Sequence, residues 1–273
     1  MMSRLPQFRG KGRLTLFLDR FVTDADEPAS FEVIVDLQGA AIALDLRRFS
    51  EKFAYYYRSY ESEYISMMRQ LYDGGNFLDI GSNIGIYVVS MAETVRNAGG
   101  RIFSVEPLPQ NRVRQESNIE LNRCLDLVEY AAVALSDSEG VVRMDGDWTA
   151  TSINGVVSAT GSVEVPAITL DKLAAARGWS GIGLIKMDIE GYEPAALRGA
   201  GELLHRDRPI LFAEFNRERM AMNGFSMDEP WNALIGLGYR AYAVQRTKLV
   251  EVTAPGALEN LFFLPAERVR QLT

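Results

Sequence analysis

The residues whose types and spacing best fit chemistry begin at positions 76–87, N-F-L-D-I-G-S-N-I-G-I-Y. An apolar run ends at Asp79, glycines follow at Gly81 and Gly85, and an apolar helix pattern starts behind them. Glycine lets a backbone come within contact distance of a ligand with no Cβ in the way, and the start of the helix offers unpaired N–H groups. A nucleoside-bearing cofactor is the natural occupant of such a turn. The dinucleotide version, G-x-G-x-x-G, would need glycine at positions 83 and 86, where this chain has Asn83 and Ile86. The turn therefore reads as built for a cofactor without a pyrophosphate. An acid before the first glycine suits a cationic ligand better than an anionic one, and S-adenosylmethionine meets both conditions.

Further polar residues fall where other apolar runs end. R-I-F-S-V-E-P places Glu106 about twenty-five residues past Gly81, the distance at which an acid accepts hydrogen bonds from both ribose hydroxyls. A-L-S-D offers Ser136 and Asp137 within reach of an adenine amino group. L-I-K-M-D-I-E-G-Y-E carries Lys186, Asp188, Glu190 and Glu193, and F-A-E-F-N carries Glu214 and Asn216. Each has a plainer reading. An acid at a strand end often caps the next helix or sits solvated at the rim, and Glu193 and Glu129 are read that way. Asp188 reads either as a group beside the cofactor pocket or as the ion-pair partner of Lys186.

The elements that must position these groups alternate strand and helix after Gly74. Strands are expected at 77–80, 101–105, 127–133, 183–187, 209–215, 241–244 and 261–264. Helices are expected at about 84–95, 110–122, 170–176, 193–204 and 229–237, and a glycine-punctuated, hairpin-like stretch runs over 135–165. This pattern predicts an α/β fold with a parallel sheet covered on both faces, binding ligands at the carboxyl ends of its strands. Before it, short β-like runs at 14–18, 31–36 and 40–46 read as strands of an antiparallel cap. From Tyr64 onward Ile65, Met68 and Leu71 have helical spacing. Tyr55, Tyr56, Tyr57, Tyr60 and Tyr64 suit a substrate mouth or a packing seam equally well. The expected division is a β-rich cap and helix over 1–72 and a cofactor-binding domain over 73–273.

Composition sets the outer limits. The net charge of −7 argues against a large polyanion partner, since nucleic-acid affinity rests on Lys and Arg, so no nucleic acid is expected. The single cysteine, Cys124, excludes an intrachain disulfide and any multi-cysteine metal site and fits a reducing compartment. No apolar run reaches about 18 residues and the start lacks an apolar signal core, so a cytoplasmic protein without a membrane segment is expected. A homo-oligomer is compatible with all of this.

Taken together, the chain resembles the FkbM family of S-adenosylmethionine-dependent methyltransferases. The resemblance rests on Y-E-S-E (60–63), F-L-D-I-G-S-N-I-G (77–85), V-E-P (105–107), A-A-V-A-L-S-D-S-E-G (131–140), I-T-L-D-K-L (168–173), L-I-K-M-D-I-E-G-Y-E (184–193) and R-P-I-L-F-A-E (208–214), in family order over roughly residues 55 to 265. Ser82 stands where such proteins commonly have alanine. The resemblance implies a Rossmann-like class I methyltransferase sheet and a cofactor set of Glu61, Asp79, Gly81, Ser82, Asn83, Gly85, Glu106, Pro107, Ser136 and Asp137. It also implies methyl transfer, usually to a hydroxyl oxygen of a small molecule, natural product, glycan or lipid-linked acceptor.

Such a transfer is an in-line displacement at a sulfonium carbon. Much of its rate comes from holding the reacting atoms about 3 Å apart and aligned. An alcohol acceptor also needs its proton removed. The sole histidine, His205, falls late in the helix before R-D-R-P, away from the strand ends. The base is then Asp188 first, Glu190 second, or Lys186. Alternatively Asp188, Glu190 and Glu214 hold a hard divalent cation such as Mg²⁺ that acidifies the acceptor. Three rivals stay open: RNA ribose 2′-O-methylation, to which acidic charge is ill-suited; a nicotinamide oxidoreductase, disfavoured by Asn83 and Ile86; and a non-catalytic cofactor-binding interaction module, disfavoured by the polar set at Lys186, Asp188 and Glu190.

Overall fold

A computed structural model describes residues 32–145, 161–256 and 260–269. Strands β1 (Glu32–Leu37) and β2 (Ala40–Asp45) form an antiparallel hairpin, followed by helices α1 (Phe49–Tyr57) and α2 (Ser62–Leu71). The alternating part runs β3 (Asn76–Ile80), α3 (Ile86–Asn97), β4 (Ile102–Val105), α4 (Pro109–Leu121), β5 (Val128–Ala131). Three short strands, β6 (Ala134–Leu135), β7 (Gly140–Met144) and β8 (Val163–Ile168), make a separate small sheet. After α5 (Leu170–Arg177) come β9 (Ile182–Met187), α6 (Glu193–Arg198), α7 (Gly201–Asp207), β10 (Ile210–Glu214), α8 (Arg217–Met222), α9 (Asp228–Gly236), β11 (Tyr239–Gln245), β12 (Lys248–Val252) and β13 (Asn260–Pro265).

The main sheet has eight strands in the order β12-β11-β13-β10-β9-β3-β4-β5. From β10 to β5 the neighbours are parallel, whereas β13 and β11 and their neighbour β12 pair antiparallel. This is the Rossmann-like arrangement with two reversed strands, β13 and β12, toward one edge. The chain winds outward from β3 to β5, then returns to place β9 on the other side of β3. That reversal opens the ligand crevice of a doubly wound sheet between the carboxyl ends of β3 and β9.

Alternation along the strands fills both faces. Phe77, Leu184, Ile210, Phe212, Phe262 and Leu264 join one core with residues of α2, α3 and the N-terminal hairpin. Leu78, Ile80, Ile185, Met187, Leu211 and Phe263 point the other way and pack with α5, α6, α7 and α9. The two-residue period of a strand produces this division, and burial on both sides explains why β9 reads as an unbroken apolar run interrupted only by Lys186.

Several expected elements differ in detail. The expected strand at 14–18 lies outside the described residues, and so does the middle of the expected hairpin-like stretch. The helix expected at 193–204 is two helices, because Asp171 caps the second from another part of the chain: its carboxylate accepts from the Glu202 and Leu203 N–H groups. The strand expected at 127–133 is shorter, β5 ending at Ala131 in the large sheet, and β6, just beyond the expected range, belongs to the small one. α8 and β12 were not expected. α8 is started by Asn216, whose side chain accepts from the Arg219 N–H at 3.0 Å. β12 follows a two-residue turn in which Arg246 and Thr247 both have positive φ without a glycine, so the usual hairpin signal is missing. Among the described residues, no helix is long and apolar enough to cross a membrane.

Candidate active site

The turn after β3 is built by backbone constraint. Gly81 has φ +74°, and a Cβ there would lie 2.0 Å from the Asp188 carbonyl oxygen. Asn83, also left-handed at φ 49°, is a residue type that tolerates that conformation. Ser82 is buried; its hydroxyl lies 2.6 Å from the Ser104 hydroxyl and donates to the Val105 carbonyl at 3.1 Å, while Gln115 donates to Ser104 at 2.7 Å. The Ser82 side chain thus anchors the turn to β4 and α4 and does not face the crevice.

Glu106 sits at the carboxyl end of β4, 4% exposed. One oxygen accepts the Asn83 N–H at 2.8 Å, and the other accepts the Leu108 N–H at 2.9 Å and the Asn111 amide at 3.2 Å. Burial pushes its carboxyl above the ordinary range against the pull of those donors. The glycine turn and the expected sugar-binding acid are therefore one hydrogen-bonded unit. Pro107 follows, buried, with its carbonyl accepting from Arg112 at 2.6 Å.

Across the crevice, β9 contributes Lys186, 3% exposed, in register with Asp79. Its ammonium donates to the Gly81 carbonyl at 2.9 Å and lies 3.4 Å from Asp79, 3.8 Å from Asp188 and 5.3 Å above the Tyr87 ring. Burial opposes the charge, but Asp79, Asp188 and Glu61 outweigh it and hold Lys186 above the usual lysine value. In that charged form it ties β3, the turn and β9 together. Both sequence readings of Asp188 meet here: it pairs with Lys186 and its side chain is still 35% exposed at the crevice.

Glu61, which caps α2 from a left-handed conformation, accepts from the Tyr87 hydroxyl at 2.5 Å. Burial raises its carboxyl above the ordinary range. Tyr60 lies edge-on to Tyr87 at 6.5 Å, and Tyr64 packs on Phe212 at 5.1 Å, so these N-terminal aromatics form a packing seam against the core. Ser136 is buried, and Asp137 is held by Arg198 through bonds of 2.7 and 3.0 Å.

The remaining acids crowd together. One oxygen from each of Asp188, Glu193 and Glu214 lies within 4.8 Å of the others. Burial, then the Asp188 charge, pushes Glu214 up to about 9 and Glu190 up to about 7; burial pushes Glu193 up to about 8. Glu190 faces Arg219 at 3.3 Å. The set at the end of β9 and β10 thus contains Glu193, where sequence reasoning had placed Glu190. Glu193 is neither a helix cap nor solvated, as the plainer reading had it: Tyr192 stands at the N-cap without a side-chain cap bond, and Glu193 is fully buried, accepting the Ile189 N–H at 2.8 Å from the loop before the helix. Its three-residue spacing from Glu190 was the available signal. Arg219 and Tyr87 gave none. Asn216 serves as a helix cap, and His205 is exposed on α7.

This arrangement offers a tight turn whose two glycines admit the Asp188 carbonyl and the Gln115 side chain, a fixed carboxylate at the next strand end, and an acid-rich cluster with one buried ammonium. A family model described as a methyltransferase FkbM domain matches residues 79–241. No curated protein matches the chain. Among solved structures, the chain is similar to a methyltransferase FkbM from Methylobacillus flagellatus at 14% identity and a TM-score of 0.47, covering 70% of this chain and 44% of that one. This chain thus spans less than half the length of that protein. It is also similar to an O-methyltransferase from Bacillus cereus in complex with S-adenosylhomocysteine, at 15% identity, TM-score 0.46 and coverage of 96% and 92%. A third is the M. jannaschii TYW2 in complex with AdoMet, at 14% identity, TM-score 0.44 and coverage of 87% of each chain.

Proposed function

The chain belongs to the FkbM methyltransferase family, and from that premise we propose that it moves a methyl group from S-adenosylmethionine to a hydroxyl oxygen of a small molecule, natural product or glycan. The observation that carries this reading is the hydrogen-bonded unit of Gly81, Asn83 and Glu106 at the carboxyl ends of β3 and β4, packed directly against Asp188. The residues fit the cofactor. Gly81 lets the turn sit against the Asp188 carbonyl, Glu106 is a buried carboxylate at the end of the adjacent strand, and the acidic cluster suits a cation where a pyrophosphate would be repelled. Gly81, Asn83, Gly85, Glu106 and Pro107 would hold the nucleoside, with Ser136 and Asp137 toward the base and Glu61 and Asp79 toward the methionine end. Bound there, S-adenosylmethionine supplies a methyl group on a positive sulfur.

The chain's own residues then orient and deprotonate. Lys186 fixes Asp79, the Gly81 carbonyl and Asp188 in one geometry. Asp188, open to the crevice, accepts the acceptor's proton; Glu190, raised to about 7 where a base works well at neutral pH, is the second choice. Tyr60 and Tyr87 narrow the entrance on the N-terminal side. A hard divalent ion such as Mg²⁺, with Asp188 and Glu214 among its ligands, is the second reading; the crowding of carboxylates at these two residues supports it, though Glu190, the third ligand expected from sequence, lies outside that cluster. RNA as acceptor fits poorly with a net charge of −7. The absence of a glycine at positions 83 and 86 likewise weighs against a dinucleotide.

The test separates binding from chemistry. With an acceptor found by screening for S-adenosylhomocysteine release, Asp188→Asn should lower kcat by about 10²-fold or more and leave cofactor affinity within a few-fold. If Asp188→Ala and Glu190→Ala both turn over like the parent, the assignment of the base fails.

A further inference from the structure

We propose that Asp188, Glu193 and Glu214 form a divalent-cation site of the Mg²⁺, Mn²⁺ or Ca²⁺ class at the carboxyl ends of β9 and β10, with Glu193 as the ligand that completes it. Its geometry stands independently of the methyl-transfer reading, though its purpose rests on that reading. Three carboxylate oxygens within 4.8 Å of one another is one observation. The second is Glu193 itself. Its residue is fully buried and one oxygen accepts the Ile189 N–H, but the other, Oε2, is buried without a hydrogen-bond partner. A buried oxygen of that kind is costly unless a proton or a cation meets it.

Among the described residues, the cations beside this cluster are already engaged elsewhere. The nearby ammonium of Lys186 is 3.8 Å from Asp188 and is already shared with Asp79 and the Gly81 carbonyl. The guanidinium of Arg219 faces Glu190. Neither Glu193 nor Glu214 has an ion-pair partner among the described residues. Oxygen donors without nitrogen or sulfur select hard ions. Three single-oxygen ligands leave positions for water and for an acceptor hydroxyl, whose proton such an ion makes easier to remove. With an ion bound, Asp188 would be its ligand in place of the base role given it in the metal-free reading, and Glu190, outside the set and beside Arg219, would take the proton.

Mn²⁺ is the probe, because its free ion gives a paramagnetic resonance signal that disappears on binding. After treatment with a chelator and its removal, the full chain should bind one Mn²⁺, displaceable by excess Mg²⁺ or Ca²⁺. Glu193→Gln should weaken that binding at least tenfold, as should Glu214→Gln, while Glu190→Gln stays within about twofold. Gln keeps the volume and the Ile189 contact, and the melting temperature of each variant in chelator shows whether it folds. Loss of Mn²⁺ binding in a variant that melts like the parent supports the site. The proposal is overturned if the folded parent leaves millimolar Mn²⁺ free, or if Glu193→Gln binds it as tightly as the parent. Binding of S-adenosylhomocysteine, measured on the same samples by calorimetry, keeps the two readings apart. Heat with the nucleoside but no Mn²⁺ uptake sinks the cation site alone, and Mn²⁺ uptake without nucleoside binding sinks the cofactor assignment alone.

Discussion

Glu106 illustrates how one carboxylate can be both structural and functional. Its oxygens already hold the Asn83 and Leu108 N–H groups, so its position is fixed before a sugar arrives and little ordering is left for binding to supply. Charge-assisted hydrogen bonds are worth about 1.5–3 kcal/mol each. Glu106→Gln should therefore weaken S-adenosylhomocysteine binding by about 10- to 100-fold in calorimetry and also lower the melting temperature, because the amide NH2 would face one of the N–H donors that the carboxylate accepts; an unaltered affinity in the folded variant would remove Glu106 from the site. Asp79, Gly81 and Glu106 were legible in the sequence because a strand, a tight turn and a strand-end acid constrain each other's spacing. Glu193 was not, because an acid at the first turn of a helix looks the same whether or not its other oxygen faces two further carboxylates. The protonation of Lys186 was equally hidden, since it depends on three acids contributed by β3, β9 and the segment before α2.

At the scale of elements, the turn and β9 are locked by contact of backbone on backbone. The Asp188 N–H donates to the Ile80 carbonyl at 3.1 Å, and its own carbonyl occupies the space a side chain at position 81 would need. Gly81→Ala combines that collision with an unfavourable positive φ, so it should cost about 2 kcal/mol or more in urea unfolding and remove cofactor binding together. A stable variant with intact binding would show that the turn is looser than described. The alternation of strands and helices was readable because buried parallel strands are continuous apolar runs. The break between α6 and α7 was not, because the Asp171 cap comes from about thirty residues away. α8 and β12 escaped for a related reason: each is too short to show a period, and each is started by a local turn, not by hydrophobic patterning.

For the molecule as a whole, crowded carboxylates make stability depend on pH. Glu190, Glu193 and Glu214, at about 7, 8 and 9, bind protons more tightly in the folded chain than at their ordinary value of 4.5. Their stabilising contribution is therefore complete below pH 4.5 and is lost as pH rises through 7 to 9. In chelator, the melting temperature should fall by on the order of 5 °C between pH 6 and pH 9, and Glu214→Gln should flatten that slope. A melting temperature that is level or rising, and the same in the variant, would refute the crowding. The central claim is that the crevice between β3 and β9 takes a sulfur nucleoside. Titration calorimetry of the parent with S-adenosylhomocysteine tests it most directly: one site per chain, with binding lost in Gly81→Ala, is the expected result. No heat from a folded parent, or full binding retained by Gly81→Ala, would contradict it.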